Sequence, residues 1–331
     1  MKAFTYTLIF VFLLLIASFI AISFYSGSPN EREEEKSTKV IYQDSSLHVE
    51  EEILLPDLQL KAEAAILVNA DTHQILYEKQ INQSLPVASM SKMMTEYLVL
   101  EAIDQGTLTW DQQIPISDYA YTISNTPGYS SILLRKDLTY SVEELFHATA
   151  IHSANGAAIA LAEAVAGNER DFVNRMNETA KTLGMNDTIF VNSTGLNNQD
   201  LGTYRYENLE HTDNAMSVKD VATLGLALLD RHPEILETTS LAVDTVSHGD
   251  QDTTTYYNTN AMLPEMNAEK ISYPGVDGLK TGYTDAAGYC FTGTIKRGKV
   301  RYLSVIMGTE NENARFLETK KLYEALPNKE Q

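Results

Sequence analysis

The 331-residue chain has a single cysteine, Cys290, so no disulfide can form within it. It holds only 25 Lys and Arg against 45 Asp and Glu, a net charge of -20. That balance excludes recognition of nucleic acid or anionic lipid through a basic patch, because the surface repels phosphates. The seven histidines are scattered. His147 and His152 lack the spacing of metal ligands on one helix face, so the sequence implies no metal and no cofactor. His152 reads as structural. There is no internal repeat and no low-complexity tract. A chain of this length and ordinary composition, 44% hydrophobic and 21% charged, buries a full core without covalent staples.

Long apolar runs are also missing, except one. From Ala3 to Tyr25 there is no charge, and Leu, Ile, Phe and Val dominate. This is about the 20 residues that a helix needs to cross a bilayer. Lys2 precedes the run, and Glu31, Glu33, Glu34 and Glu35 follow it, so the body of the protein is expected outside the membrane. The run ends in a poor cleavage site, which favours a retained signal anchor over residues 1–25. Residues 26–60 are polar and acidic without sustained periodicity and read as a tether. The folded domain is expected over residues 61–331.

Within that domain, Ala64–Val68 and Gln74–Tyr77 flank turn residues and read as a hairpin. A helical block follows. It comprises Met90–Ile103 with a stop at Gly106, a helix opened by the capping box Ser141-Val142-Glu143-Glu144, Gly156–Val165, Phe172–Leu183 and Ser217–Leu229. Strand character returns in Tyr289–Ile295 and Val300–Met307, joined by Lys296-Arg297-Gly298-Lys299. A final amphipathic helix is expected from Asn313 to Leu326. Strands at both ends with helices between them imply an α+β fold, one sheet built from both ends of the chain.

Three short motifs carry chemistry. Ser89-Met90-Ser91-Lys92 opens a helical stretch, and residues three apart share a helix face, which sets the Lys92 amine beside the Ser89 hydroxyl. A buried, neutral amine can take the proton of a serine and make it a nucleophile. Ser91, adjacent to Lys92, points elsewhere. Ser153-Ala154-Asn155 falls between two helical stretches, where it is either a helix cap or a hydroxyl and a carboxamide facing a cleft. Lys280-Thr281-Gly282 follows Gly275-Val276-Asp277-Gly278-Leu279, and glycine there lets a ligand approach the backbone.

Each motif is weak alone. The order S-x-x-K, then S-x-N about 60 residues on, then K-T-G late in the chain, is that of the penicillin-recognising serine enzymes. From about Ala62 to Leu326 the sequence resembles the low-molecular-mass D-Ala-D-Ala carboxypeptidases, peptidase family S11. The resemblance is carried by Pro86–Thr95, Ser153–Ala158, Leu183-Gly184-Met185, Ser193-Thr194-Gly195-Leu196 and Val276–Gly282. Ala154 stands where glycine is commoner.

The resemblance implies a β-lactamase/transpeptidase-like fold: a central antiparallel sheet with strands from both chain ends plus an inserted helical cluster. It implies Ser89 as nucleophile, Lys92 as general base, Ser153 as proton relay, and Asn155 orienting Lys92 and the substrate amide. Backbone N–H groups of Ser89 and of the residue after Gly282 would hold the oxyanion. Lys280 and Thr281 would bind near the substrate carboxylate. Arg315 is either a second carboxylate ligand or a helix-surface arginine. The implied partners are stem peptides of peptidoglycan ending in D-Ala-D-Ala, and β-lactam inhibitors at the same serine. Many relatives add a β domain and a C-terminal membrane helix past this point. Their absence before Gln331 leaves attachment to the N-terminal segment.

Three rivals share the fold. A class A β-lactamase needs a general-base glutamate between the second and third motifs, and none of Glu163, Glu169, Glu178, Glu207, Glu210, Glu234 and Glu237 sits in a recognisable version of that loop. A non-catalytic sensor would lack Ser89 or Lys92. A transpeptidase or endopeptidase remains open.

Overall fold

The computed structural model describes residues 47–48, 55–206, 213–248 and 253–327. The expected anchor and most of the expected tether lie outside them. Among the described residues, no helix is long and apolar enough to cross a membrane.

The sheet is organised by two runs that are apolar at nearly every position. Strand β1 (Ala64–Asn69) reads Ala-Ala-Ile-Leu-Val-Asn, and its first five residues are fully buried. Alternating side chains point to opposite faces of a strand, so a continuous apolar run means that both faces are covered. Ala64, Ile66 and Val68 join one core with the helical block, whereas Ala65 and Leu67 join a second core on the other face. Strand β11 (Val300–Thr309) repeats this, sending Leu303, Val305 and Met307 to the first core and Ile306 to the second. The two pair antiparallel, Ala64 opposite Met307, which joins the start of the folded chain to its end.

β2 (Ile75–Lys79) forms the expected hairpin with β1. β3 (Leu85–Pro86) then leads to a 3-10 turn, Ala88–Ser91, and to helix α1 (Lys92–Asp104). The helical block continues through α2 (Asp118–Ser124), α3 (Val142–His152), α4 (Asn155–Ala166), α5 (Glu169–Thr182), α6 (Val218–Arg231) and α7 (Ile235–Thr239). Short strand pairs punctuate it. β4 (Gln113–Pro115) pairs with β5 (Thr139–Ser141), β6 (Ala215–Met216) with β3, and β7 (Val243–Ser247) with β8 (Thr253–Tyr257). β9 (Val276–Thr284) and β10 (Gly288–Arg297) complete a five-stranded antiparallel sheet of order β2-β1-β11-β10-β9. Helix α8 (Glu312–Ala325) covers its second face through Phe316, Leu322 and Tyr323.

Helix ends fall where the side-chain chemistry sets them. The Ser141 hydroxyl accepts from the Glu144 backbone, and the Glu144 carboxylate accepts from the Ser141 backbone, completing the capping box that opens α3. Ser217 caps α6 in the same way, accepting from Asp220 N. The folded unit begins upstream of residue 61. The Leu55 amide donates to the Leu76 carbonyl, and Lys79 Nζ donates to the carbonyls of Leu60 and Ala62. The last described residues of the expected tether are therefore docked along β2.

Candidate active site

Ser89 sits at the junction of β3 and α1, in a turn that two glycines approach closely. Gly195 has φ +79, and a Cβ there would lie 1.9 Å from the Ala88 carbonyl oxygen. Gly282, on edge strand β9, would place a Cβ 2.7 Å from the Val87 carbonyl oxygen. Only glycine allows both backbones so close to the nucleophile. Ala88 itself has φ +48, a left-handed conformation rare for a residue with a side chain. Ser91 turns inward and donates to the Ala88 carbonyl at 2.8 Å, so it serves the turn and not the cleft.

Lys92 opens α1 and is fully buried. Its Nζ lies 2.9 Å from Ser89 Oγ, 2.7 Å from Asn155 Oδ1 and 2.7 Å from the Thr194 carbonyl oxygen. The last two atoms only accept. A neutral amine gives them its two N–H groups and keeps one lone pair, aimed at the Ser89 hydroxyl. The Asn155 carboxamide is oriented by its Nδ2 donating to the Ser130 carbonyl at 3.4 Å. Burial holds the Lys92 amine well below the usual lysine range, and the nearby charge of Lys280 pushes the same way.

Ser153 ends α3 in the left-handed conformation, φ 61 and ψ 29. Ser153 holds the C-cap position of α3 through its backbone, and no side chain of Ser153-Ala154-Asn155 caps the helix that follows. Ser153 Oγ is buried and has no hydrogen-bond partner among the described residues. It lines a cleft of about 720 Å³ with Ser89, Asn155, Thr281, Gly282 and Arg315. Thr281 Oγ1 donates to Thr259 Oγ1 at 2.7 Å. Arg315 is 4% exposed and so is not a surface arginine. It donates to the Gly282 carbonyl at 3.3 Å and to Glu312 at 3.2 Å, while its Nε has no partner among the described residues. Lys92 and Lys280 do not line the cleft; both are buried behind it.

Sequence reasoning missed Glu96. It is one helical turn beyond Lys92 on α1, 1% exposed, and its Oε1 has no hydrogen-bond partner among the described residues. Burial pushes its carboxyl up, while the charges of Lys280 and Lys92 pull it down. Lys280 is in turn lowered by burial and raised by Glu96. Glu96 is the group that favours the charged form of Lys280, whereas Lys92 feels the charge of Lys280 more than that of Glu96. The signal was present in the sequence as an acid four residues after a lysine, which reads as an ordinary surface helix pair.

The Ser193–Leu196 loop was noted without a role for any residue. Asn192 Oδ1 accepts from Thr194 N, Thr194 Oγ1 and Gly195 N at 3.0, 2.9 and 2.7 Å. Buried Glu169 accepts from Ser193 N at 2.9 Å and from Ser193 Oγ. These bonds fix the Thr194 carbonyl that holds Lys92. The commitment of Glu169 also bears on the β-lactamase reading. Among the described glutamates of that interval, Glu163, Glu169, Glu178, Glu234 and Glu237, none lines the cleft at Ser89.

The comparisons with known proteins agree with this geometry. The chain is 34% identical over 266 residues to D-alanyl-D-alanine carboxypeptidase DacF of Bacillus subtilis, covering 80% of this chain and 62% of that one. It spans about 60% of the length of the curated relatives it matches first. Its fold is similar to that of the peptidoglycan synthesis regulatory factor PBP3 of Streptococcus pneumoniae, with a TM-score of 0.75, 39% identity, and coverage of 80% of this chain and 73% of that one. It is also similar to penicillin-binding protein D2 of Listeria monocytogenes in its cefotaxime-bound form, with a TM-score of 0.68, 36% identity, and coverage of 82% and 98%. The family model for D-alanyl-D-alanine carboxypeptidases matches residues 50–311, so the chain belongs to peptidase family S11.

Proposed function

We propose that this protein is a serine D-alanyl-D-alanine carboxypeptidase that removes the terminal D-alanine from peptidoglycan stem peptides, and that β-lactams acylate the same serine. The observation that carries this reading is the Lys92 amine, buried, held by two carbonyl oxygens and 2.9 Å from Ser89 Oγ. Lys92 takes the Ser89 proton as Oγ bonds to the carbonyl carbon between the two D-alanines. The backbone N–H groups of Ser89 and Tyr283 hold the oxyanion. The C–N bond then breaks, and the leaving amine takes a proton through Ser153, whose hydroxyl is buried in the cleft without a partner. Water cleaves the resulting ester and frees Ser89.

The substrate ends in a carboxylate. Arg315 and Thr281 face the cleft to receive it, with the Lys280 charge behind them. Asn155 orients both Lys92 and the substrate amide. The domain works outside the membrane, anchored by Ala3–Tyr25; the uncharged run and the Lys2-to-glutamate asymmetry support this. Protease protection of intact cells tests the topology: a body accessible only after lysis would sink it.

The activity is tested by mass spectrometry of the full-length chain mixed with a penicillin and, separately, with a peptide ending in D-Ala-D-Ala. A penicilloyl adduct on the Ser89 peptide together with release of one D-alanine is expected. An adduct without D-alanine release would favour the endopeptidase, transpeptidase or sensor. Rapid penicillin hydrolysis with no lasting adduct would favour a β-lactamase.

A further inference from the structure

His232 closes α6, is not among the residues that line the cleft at Ser89, and its ring is fully buried. Its Nε2 lies 3.1 Å from Glu101 Oε1, and Tyr97 packs edge-on against the ring with centroids 5.4 Å apart. Glu101 is itself paired with Arg231 at 2.7 Å. An Nε2–H donated to Glu101 leaves the lone pair on Nδ1. That nitrogen is buried, has no hydrogen-bond partner among the described residues, and faces Asp104 Oδ2 and Glu234 Oε1, each 3.5 Å away. The three atoms lie within 4.8 Å of one another. In that tautomer three lone-pair donors converge.

We propose that Asp104, His232 and Glu234 form a divalent-cation site of the zinc type, with Glu101 holding the histidine as an outer ligand. The spacing fits. Two ligands each about 2.1 Å from a tetrahedral zinc ion are about 3.4 Å apart, close to both Nδ1-to-carboxylate distances. An imidazolium bonded to the two carboxylates would instead draw them to about 2.7–2.9 Å. The charges fit as well. Arg231 balances Glu101, so Asp104 and Glu234 together match a doubly charged ion. The carboxylate–histidine pairing that fixes the ring is the usual outer support of a metal-bound histidine. Both carboxylates are exposed, with side-chain values of 60% and 46%, which opens an entry path and leaves a fourth position for water. The ion would tie the end of α1, the helix that begins with Lys92, to the α6–α7 junction.

Equilibrium dialysis of the chelator-stripped full-length protein against Zn²⁺ alone and Mg²⁺ alone tests the site. Saturable binding of about one zinc ion per chain is expected, with magnesium at least 100-fold weaker, since this mixed nitrogen–oxygen set suits zinc. The Asp104→Asn/Glu234→Gln double variant keeps the buried ring and its packing, and should bind zinc at least 100-fold more weakly. Glu101→Gln should weaken it about 10- to 100-fold. Zinc should raise the melting temperature of the wild type and not that of the double variant. No saturable zinc binding up to millimolar, equal binding by the double variant, or magnesium bound as tightly as zinc would each overturn the site.

Discussion

The two walls of the cleft each have a buried lysine behind them, and the two lysines are in opposite condition. On the helical wall, Lys92 meets three oxygen atoms at 2.7–2.9 Å. On the strand wall, Lys280 donates only to the carbonyl of its neighbour Thr281, at 3.3 Å. Burial lowers both amines. The carboxylate of Glu96 is the largest influence holding a proton on Lys280, whereas Lys92 feels the charge of Lys280 more than that of Glu96. One lysine is therefore completed as a base, and the other is the one that Glu96 favours as a charge. Identical side chains acquire different chemistry because their surroundings differ in acceptors and charge.

The largest effect should come from breaking the completed wall. Ser89→Ala removes the nucleophile and should lower turnover of a D-Ala-D-Ala peptide by about 10⁴-fold or more, with loss of the penicilloyl adduct. Lys92→Ala should do nearly as much, and the double variant little more, because the two act as one unit. An additive double variant would show that Lys92 does not serve Ser89.

On the strand wall, Lys280→Ala should cost about 10²-fold in kcat/KM, because its charge acts on the developing transition state. Arg315→Ala removes a charged donor to the substrate carboxylate and should raise KM about 10-fold or more while changing kcat less. A peptide amidated at its C-terminus should show little difference between wild type and the Arg315 variant. Equal losses on both peptides would remove Arg315 from carboxylate binding.

The smallest effect sharpens the contrast most. Activity requires Lys92 neutral and Lys280 charged, so the rate should fall as pH drops through the Lys92 pKa and as it rises through that of Lys280. Glu96→Gln removes a charge that raises both lysines. Both limbs of the kcat/KM profile should then move to lower pH, by roughly one unit or less. Unmoved limbs, or limbs displaced to higher pH, would show that Glu96 does not set the charge of the pair.

Much of this was legible in residue order. The apolar runs Ala64–Val68 and Val300–Met307, the capping box at Ser141 and the stop at Gly106 placed most of the elements within a few residues. They are local, and their physics is local. The short pairs β4–β5 and β7–β8 were not foreseen, since they are set by tertiary packing on a few residues each. The folded edge was set too late in the chain because Leu55–Leu60 has no periodicity of its own; Leu76 and Lys79 dock it.

The chemistry divides in the same way. Residue type and order named Ser89, Lys92, Ser153, Asn155, Lys280, Thr281 and Gly282 as one constellation through the resemblance to peptidase family S11, whose motifs are each short enough to be written within one turn or one strand. Only the tertiary structure decided that Arg315 is buried against the Gly282 carbonyl, that the Thr194 carbonyl completes the Lys92 site, and that Glu96 lies within the field of two lysines. It also decided that His232 faces Asp104 and Glu234, although histidine spacing along the chain implied no metal. The reason is that a charge and a lone pair act through space. Partners that are far apart in sequence, or that look like a surface pair on one helix, acquire their meaning only when burial removes the water between them.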